Sequence, residues 1–110
     1  MQIEKSERDA VTVLSPSGRL NMVSAQRLKS AVDDSVAAGR AKIVVELSGV
    51  EFIDSSGLGA LIGGLKSARQ ASGDLRIAGA SEQVATVLGL TNLDRILRPH
   101  ASLEDALDGW

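Results

Sequence analysis

Short apolar runs with a period of two alternate along this chain with longer segments of helical period. Residues 10–17 show the clearest strand pattern, because Val11 and Val13 share one face and Pro16 ends the run. Residues 2–6 predict an edge strand that pairs with it across a polar hairpin. Residues 18–21 predict a turn. Further buried or alternating runs predict strands downstream at residues 42–47, with residues 50–53 following on, at residues 74–78 and, as a short last strand, at residues 96–97.

Four segments carry apolar residues at helical spacing. The first is predicted to begin after an N-cap at Ser24 and to end at Gly39. The second has an apolar face that starts with Leu58 and ends before the turn at residues 72–73. Two shorter helices are predicted to start at Ser81 and Ser102. The order strand-strand-helix-strand-helix-strand-helix, with a final helix, predicts an α/β fold: a mixed sheet of four to five strands with about four helices.

The composition excludes several classes of function. With 110 residues, the chain is expected to form one domain, residues 1–110. A net charge of −2 argues against nucleic acid as a partner. The absence of cysteine excludes disulfides and thiolate metal sites, and a single histidine, His100, with no tyrosine leaves little material for acid–base catalysis. We therefore expect no enzyme activity, no metal and no cofactor.

The sequence predicts neither a membrane-spanning helix nor a signal peptide. No segment approaches the roughly 20 apolar residues of a membrane-spanning helix, and the polar first ten residues lack the apolar core of a signal peptide. The chain is therefore expected to be cytoplasmic, with no membrane partner.

One segment, residues 50–61, combines a turn that holds an acid and two hydroxyls with the start of a glycine-rich helix. A buried strand leads into Asp54, Ser55 and Ser56, and a helix follows at once. Asp54 or Ser55 is expected at the N-cap, where the unpaired amides and the helix dipole favour an anion. Four glycines, at positions 57, 59, 63 and 64, lie in the helix that follows, and each costs about 1 kcal/mol there relative to alanine, so their presence needs an explanation. Gly59 and Gly63, four residues apart, predict a smooth stripe that lets a neighbour or a partner approach. Capping and packing against the sheet also explain the segment without any further function.

Two catalytic or nucleotide-binding explanations fail on spacing. The chain has no G-x-x-x-x-G-K-[ST] run, and residues 57–59 lack the third spaced glycine of a dinucleotide fingerprint. A hydrolase nucleophile would need G-x-S-x-G and a nearby base, whereas the only imidazole is in the C-terminal tail.

Residues 52–61, Phe-Ile-Asp-Ser-Ser-Gly-Leu-Gly-Ala-Leu, resemble the signature of the STAS domain, in particular that of bacterial anti-sigma factor antagonists. The resemblance extends over essentially the whole chain, with weaker matches at residues 18–21, 42–48, 73–78 and 89–93. It implies that Ser55 accepts phosphate, with Ser56 as the second choice. The implied partners are a serine kinase of the histidine-kinase-like ATPase fold, which doubles as the anti-sigma factor, and a metal-dependent serine phosphatase that reverses the modification. The unphosphorylated form is expected to bind the kinase and to free its client.

The same resemblance implies a partner-binding surface around Ser55. It is expected to include Asn21, Asp54, Ser55, Ser56, Gly57, Leu58 and Gly59, with Lys66, Arg69 and Gln70 as candidate rim residues. Position 21 departs from the family pattern, which often has aspartate there. Asn21 is either part of the partner contact or a simple turn residue tolerant of positive φ.

Two other functions stay open. A STAS scaffold or accessory subunit of a transport or signalling assembly would use the same surface without phosphorylation. A small-molecule sensor would need a specific pocket, for which a chain with two aromatic residues, Phe52 and Trp110, offers few large side chains. Whether Trp110 packs on the last helix is not decided by the sequence.

Overall fold

The computed structural model describes all 110 residues, in the order β1 (Gln2–Arg8), β2 (Val11–Leu20), α1 (Met22–Ala37), β3 (Lys42–Glu46), β4 (Val50–Ile53), α2 (Ser55–Gln70), β5 (Asp74–Ala78), α3 (Glu82–Leu90), a 3-10 turn (Leu93–Arg95), β6 (Pro99–His100) and α4 (Leu103–Leu107). The predicted α/β class and the four helices are confirmed. The sheet has six strands, because the turn after Glu46 separates β3 from β4 and a short β6 is added.

The sheet is mixed, in the order β1-β2-β3-β5-β6, and β4 pairs with the far end of β2. Only the β1–β2 hairpin is antiparallel. β3 pairs with Val11–Leu14 and β4 with Gly18–Leu20, so these two short strands pair with successive parts of the longer strand β2. The register shifts at Gly18, whose φ of +102° is a conformation that glycine adopts without strain.

Both faces of the sheet are covered. In β3, Ile43 and Val45 belong to an 18-residue core that includes residues of α1, α2 and α3, whereas Val44 belongs to a smaller cluster beneath α4. This alternation explains why the β3 run is apolar without interruption. Trp110 packs against the smaller cluster, which answers the question of its place. None of the helices combines the length and apolarity needed to cross a membrane.

Three predicted boundaries were wrong. β2 passes through Pro16 and ends at Leu20, because Pro16 lies between the part of β2 that pairs with β3 and the part that pairs with β4, where no parallel ladder needs its missing N–H. Residues 18–20 are therefore strand, not turn. The last strand is Pro99–His100 instead of residues 96–97, because the amides of Ile96 and Leu97 both donate to the Leu93 carbonyl within the 3-10 turn.

The start of α1 was also placed too late. The helix begins at Met22 and its N-cap is Asn21, so Ser24 lies in the first turn. Gly39 follows the helix end with φ +83°, as expected for the residue that terminates it.

Candidate functional site

Two helices begin side by side at one edge of the sheet. The parallel neighbours β2 and β4 end at Leu20 and Ile53, and the next residues, Asn21 and Asp54, are the N-caps of α1 and α2. The Asp54 amide donates to the Leu20 carbonyl at 3.3 Å, which ties the two strand ends together. We call the resulting surface the corner and define it as residues 21–24 and 54–59.

Asn21 holds the α1 side of the corner. Its Oδ1 accepts from the amides of Val23 at 3.1 Å and Ser24 at 3.3 Å. The Ser24 hydroxyl accepts from the backbone amide of Asn21 at 2.9 Å, which completes a capping box, and donates to the Arg19 carbonyl at 2.6 Å. The φ of Asn21 is −114°, so the N-cap position does not make use of asparagine's tolerance of positive φ. A neutral amide supplies the cap without adding a negative charge.

Asp54 is the N-cap of α2, which decides between the two predicted cap residues. Its Oδ1 accepts from the Gly57 amide at 3.0 Å. The carboxylate is the only acid within the corner and lies at the positive end of the helix dipole. Ser55 and Ser56 then occupy the first two helical positions, and no side chain caps their amides.

The two serines differ in environment. Ser55 is exposed, and its hydroxyl takes part in no hydrogen bond within the protein. Ser56 is half-buried and lines a shallow groove of about 280 Å³ between the first turns of α1 and α2, together with Met22, Ala25 and Lys29. Ser55 is thus the more exposed of the two serines.

Gly57, Gly59 and Leu58 have separate places in the corner. A Cβ at Gly57 would lie 2.5 Å from the Leu20 carbonyl oxygen, so only glycine lets α2 come this close to β2. At Gly59 a Cβ would meet nothing within 4 Å, and this residue is exposed. Leu58 is 6% exposed and belongs to the core. Gly57 and Leu58 therefore support the corner from beneath, and Gly59 is part of its surface.

The predicted glycine stripe is covered at one end. The side chain of Lys29 lies over Gly63, where its Cε would be 2.9 Å from an added Cβ. The Lys29 ammonium reaches Asp33 at 2.7 Å and the Ser67 hydroxyl at 3.2 Å. The open part of the stripe is thus limited to Gly59.

The candidate rim residues lie away from the corner. Lys66 is 11 positions after Ser55, a distance of about 17 Å along a helix. Lys66, Arg69 and Gln70 are exposed, and Arg69 forms an ion pair with Asp74 at 3.1 Å. The structure does not bring these three residues together with Ser55.

Two exposed hydrophobic side chains at the corner were not predicted from the sequence. Met22 is 71% exposed and Val23 is 78% exposed, both in the first turn of α1. The spacing Asn21-x-x-Ser24 is the signal that would have moved the helix start to Met22 and shown that both side chains fall outside the apolar stripe. No three histidine, aspartate or glutamate side chains lie close enough together to hold a metal ion.

Comparison with known proteins places this geometry in a family. The STAS domain model matches residues 2–106 of the chain. A candidate anti-sigma factor antagonist of Thermotoga maritima is 38% identical over 101 residues, which cover 91% of this chain and 89% of that protein. An anti-sigma-B factor antagonist of Staphylococcus aureus is 26% identical over 104 residues, which cover 94% of this chain and 96% of that protein.

A solved structure agrees with these relatives. The crystal structure of a candidate anti-sigma factor antagonist from Thermotoga maritima has a TM-score of 0.90 to this fold at 36% identity, covering 96% of this chain and 92% of that chain. The chain therefore belongs to the STAS domain family. The resemblance inferred from residues 52–61 is confirmed, and the relatives that share it are named as anti-sigma factor antagonists.

Proposed function

We propose that this chain is a cytoplasmic anti-sigma factor antagonist whose binding to a serine kinase/anti-sigma factor is blocked by phosphorylation of Ser55. One observation carries the proposal: Ser55 presents an exposed hydroxyl, free of hydrogen bonds, at the first position of a helix. The names of the relatives support an anti-sigma factor as the partner. The family resemblance adds the kinase of the histidine-kinase-like ATPase fold and a metal-dependent serine phosphatase that restores the binding form.

The position of Ser55 explains how a phosphate acts without unfolding the domain. A phosphoserine adds a charge of about −1.5 to −2 at neutral pH. At a helix N-terminus this charge is stabilised by about 0.3–1 kcal/mol, so α2 is expected to persist in the modified protein. The modification therefore changes the surface and leaves the fold in place.

The effect on binding comes from the partner. A protein packed on the corner must desolvate the phosphate beside Asp54, whose carboxylate is already present there. A penalty of about 4 kcal/mol weakens a complex about a thousandfold. Repulsion and steric exclusion at the corner are then sufficient for the switch.

The binding surface has an apolar part as well. Met22 and Val23 lie in the first turn of α1, and Met22 lines the groove beside Ser56. We assign partner contact to these two side chains together with Asn21, Asp54, Ser55, Ser56 and Gly59. Exposed hydrophobic side chains next to a polar rim are typical of protein-binding surfaces.

The test begins with capture of the partner. Immobilised Ser55→Ala and Ser55→Asp proteins are incubated with lysate of the source organism. Proteins retained by either variant are identified and purified, and the proposal expects the partner to be retained by Ser55→Ala and not by Ser55→Asp. Incubation of the purified partner with ATP and the wild-type chain is expected to add the mass of one phosphate. Ser55→Ala should abolish this addition, whereas the matched variant Ser56→Ala should retain it.

Two results would contradict the proposal. Modification that disappears in Ser56→Ala and persists in Ser55→Ala would move the acceptor. A partner that binds Ser55→Ala and Ser55→Asp equally and transfers no phosphate would favour the scaffold or accessory subunit.

A further inference from the structure

A charged cavity lies near the C-terminal end of α2, beside the short strand β6. Its volume is about 300 Å³, and its polar lining consists of Arg69, Asp74, Arg76, Arg98, His100 and Asp108. Arg69 is 14 positions after Ser55, which corresponds to about 21 Å along the helix. The cavity is therefore separate from the corner. We infer that it is an anion-binding site that takes the phosphate group of a small phosphomonoester.

The cavity has a surplus of positive charge. The Asp74 carboxylate is already paired with Arg69 at 3.1 Å. Asp108 is then the one carboxylate left for the guanidinium groups of Arg76 and Arg98, and it forms an ion pair with neither. This surplus occurs in a chain whose overall net charge is −2, so it is a local feature.

Strand pairing sets the two unpaired arginines next to each other. β5 and β6 pair in parallel at Ile77↔Pro99 and Ala78↔His100. Continuing this register by one residue places Arg98 beside Arg76, and both line the cavity. Like charges on neighbouring strands repel each other, and an anion held between them converts this repulsion into attraction.

Arg76 is held rigidly in place. Its Nη1 donates to the carbonyls of Ala106 at 2.8 Å and Asp108 at 3.2 Å, and its guanidinium carbon lies 4.2 Å from the centre of the Trp110 ring. Its Nε and Nη2 donate to no acceptor in the protein. An arginine fixed on one side with free donors on the other is preorganised for an oxyanion.

Arg98 is the second arginine of the cavity. Its side chain is exposed and forms no ion pair, so it can move towards a ligand without breaking an ion pair. The cavity volume is at the lower end of the range for ligand pockets, about 300–1,000 Å³, which is enough for a small phosphomonoester. The ester is either a soluble metabolite or the headgroup of a lipid, since both present the same dianion.

Trp110 gives a direct readout, because it is the only tryptophan and it contacts Arg76. The intact chain is titrated at constant ionic strength with inorganic phosphate, with glycerol 3-phosphate, and with phosphatidylcholine vesicles that contain or lack phosphatidic acid. Tryptophan fluorescence and calorimetry are followed in parallel. We expect a saturable response, and Arg98→Gln should weaken it about tenfold or more by removing charge-assisted hydrogen bonds.

Arg95→Gln is the matched control. Arg95 is an exposed arginine three positions earlier that does not line the cavity, so its loss changes net charge equally and should leave the titration unchanged. Circular dichroism of both variants checks the fold. Saturation by the soluble phosphates identifies a metabolite site, and response to phosphatidic acid vesicles alone identifies a headgroup site. Absence of saturation with every probe, or equal loss in both variants, would overturn the inference.

Discussion

The close approach of α2 to β2 depends on the missing side chain at Gly57. A Cβ at this position would lie 2.5 Å from the Leu20 carbonyl oxygen and 2.8 Å from the Ile53 Cγ1. Ordinary contacts between carbon atoms are about 3.5–4.0 Å, so Gly57→Ala forces the first turn of α2 outward by about 1 Å or displaces the core beneath it. Because Ser55 lies in that turn, the same substitution displaces the proposed phosphate acceptor.

The size of the effect follows from two opposed contributions. Overpacking of a filled site costs about 1–3 kcal/mol, and replacing glycine with alanine in a helix returns at most about 1 kcal/mol. Backbone atoms give way less readily than a flexible side chain, so we expect a net loss of about 2 kcal/mol for Gly57→Ala. At Gly59 no atom lies within 4 Å of an added Cβ. Gly59→Ala should therefore stabilise the protein by about 0.5–1 kcal/mol.

Urea denaturation followed by circular dichroism measures both free energies of unfolding. The corresponding melting temperatures should fall by about 8 °C for Gly57→Ala and rise by about 2–4 °C for Gly59→Ala. Equal stability of the two variants would refute the reasoning, because it would mean that α2 is not held against β2 at Gly57.

Three further predictions concern other parts of the account. Asn21→Ala should lower the free energy of unfolding by about 1 kcal/mol through loss of the α1 cap, and Asn21→Asp should keep it within about 0.5 kcal/mol in the same urea assay. Arg40→Met should lower the free energy of unfolding by about 2–3 kcal/mol, since the Arg40 guanidinium donates to three oxygens of the β1–β2 hairpin. The control Arg95→Met should shift the urea midpoint little. Equal shifts in the two variants would argue against this role of Arg40. Phosphorylation of Ser55 should leave amide hydrogen exchange across residues 57–72 unchanged, and a general loss of protection there would contradict a local switch.

The sequence predicted the order of elements well, because period-two and helical patterns differ clearly in this chain. It misplaced the end of β2 and the position of the last strand. Pro16 normally ends a strand, but here it lies between the segments of β2 that pair with β3 and β4. Leu97 has the apolar character of a strand residue, yet it enters the main core just after the 3-10 turn, and its amide donates to the Leu93 carbonyl.

The candidate site was predictable to a similar degree. The N-cap near Asp54 and an exposed Ser55 follow from local capping chemistry, which needs only nearby residues. The adjacency of Asn21 to Asp54 depends on the pairing of β2 with β4, and no local pattern encodes this contact. Met22 and Val23 were missed for a local reason, because the N-cap of α1 was placed at Ser24 although the spacing Asn21-x-x-Ser24 indicates a helix that begins at Met22.

The most direct test of the central claim compares two forms of the same chain. The affinity of the captured kinase/anti-sigma factor is measured for the unmodified protein and for protein fully phosphorylated at Ser55. A penalty near 4 kcal/mol predicts binding about a thousandfold weaker for the phosphorylated form. Equal affinities for the two forms would contradict the account.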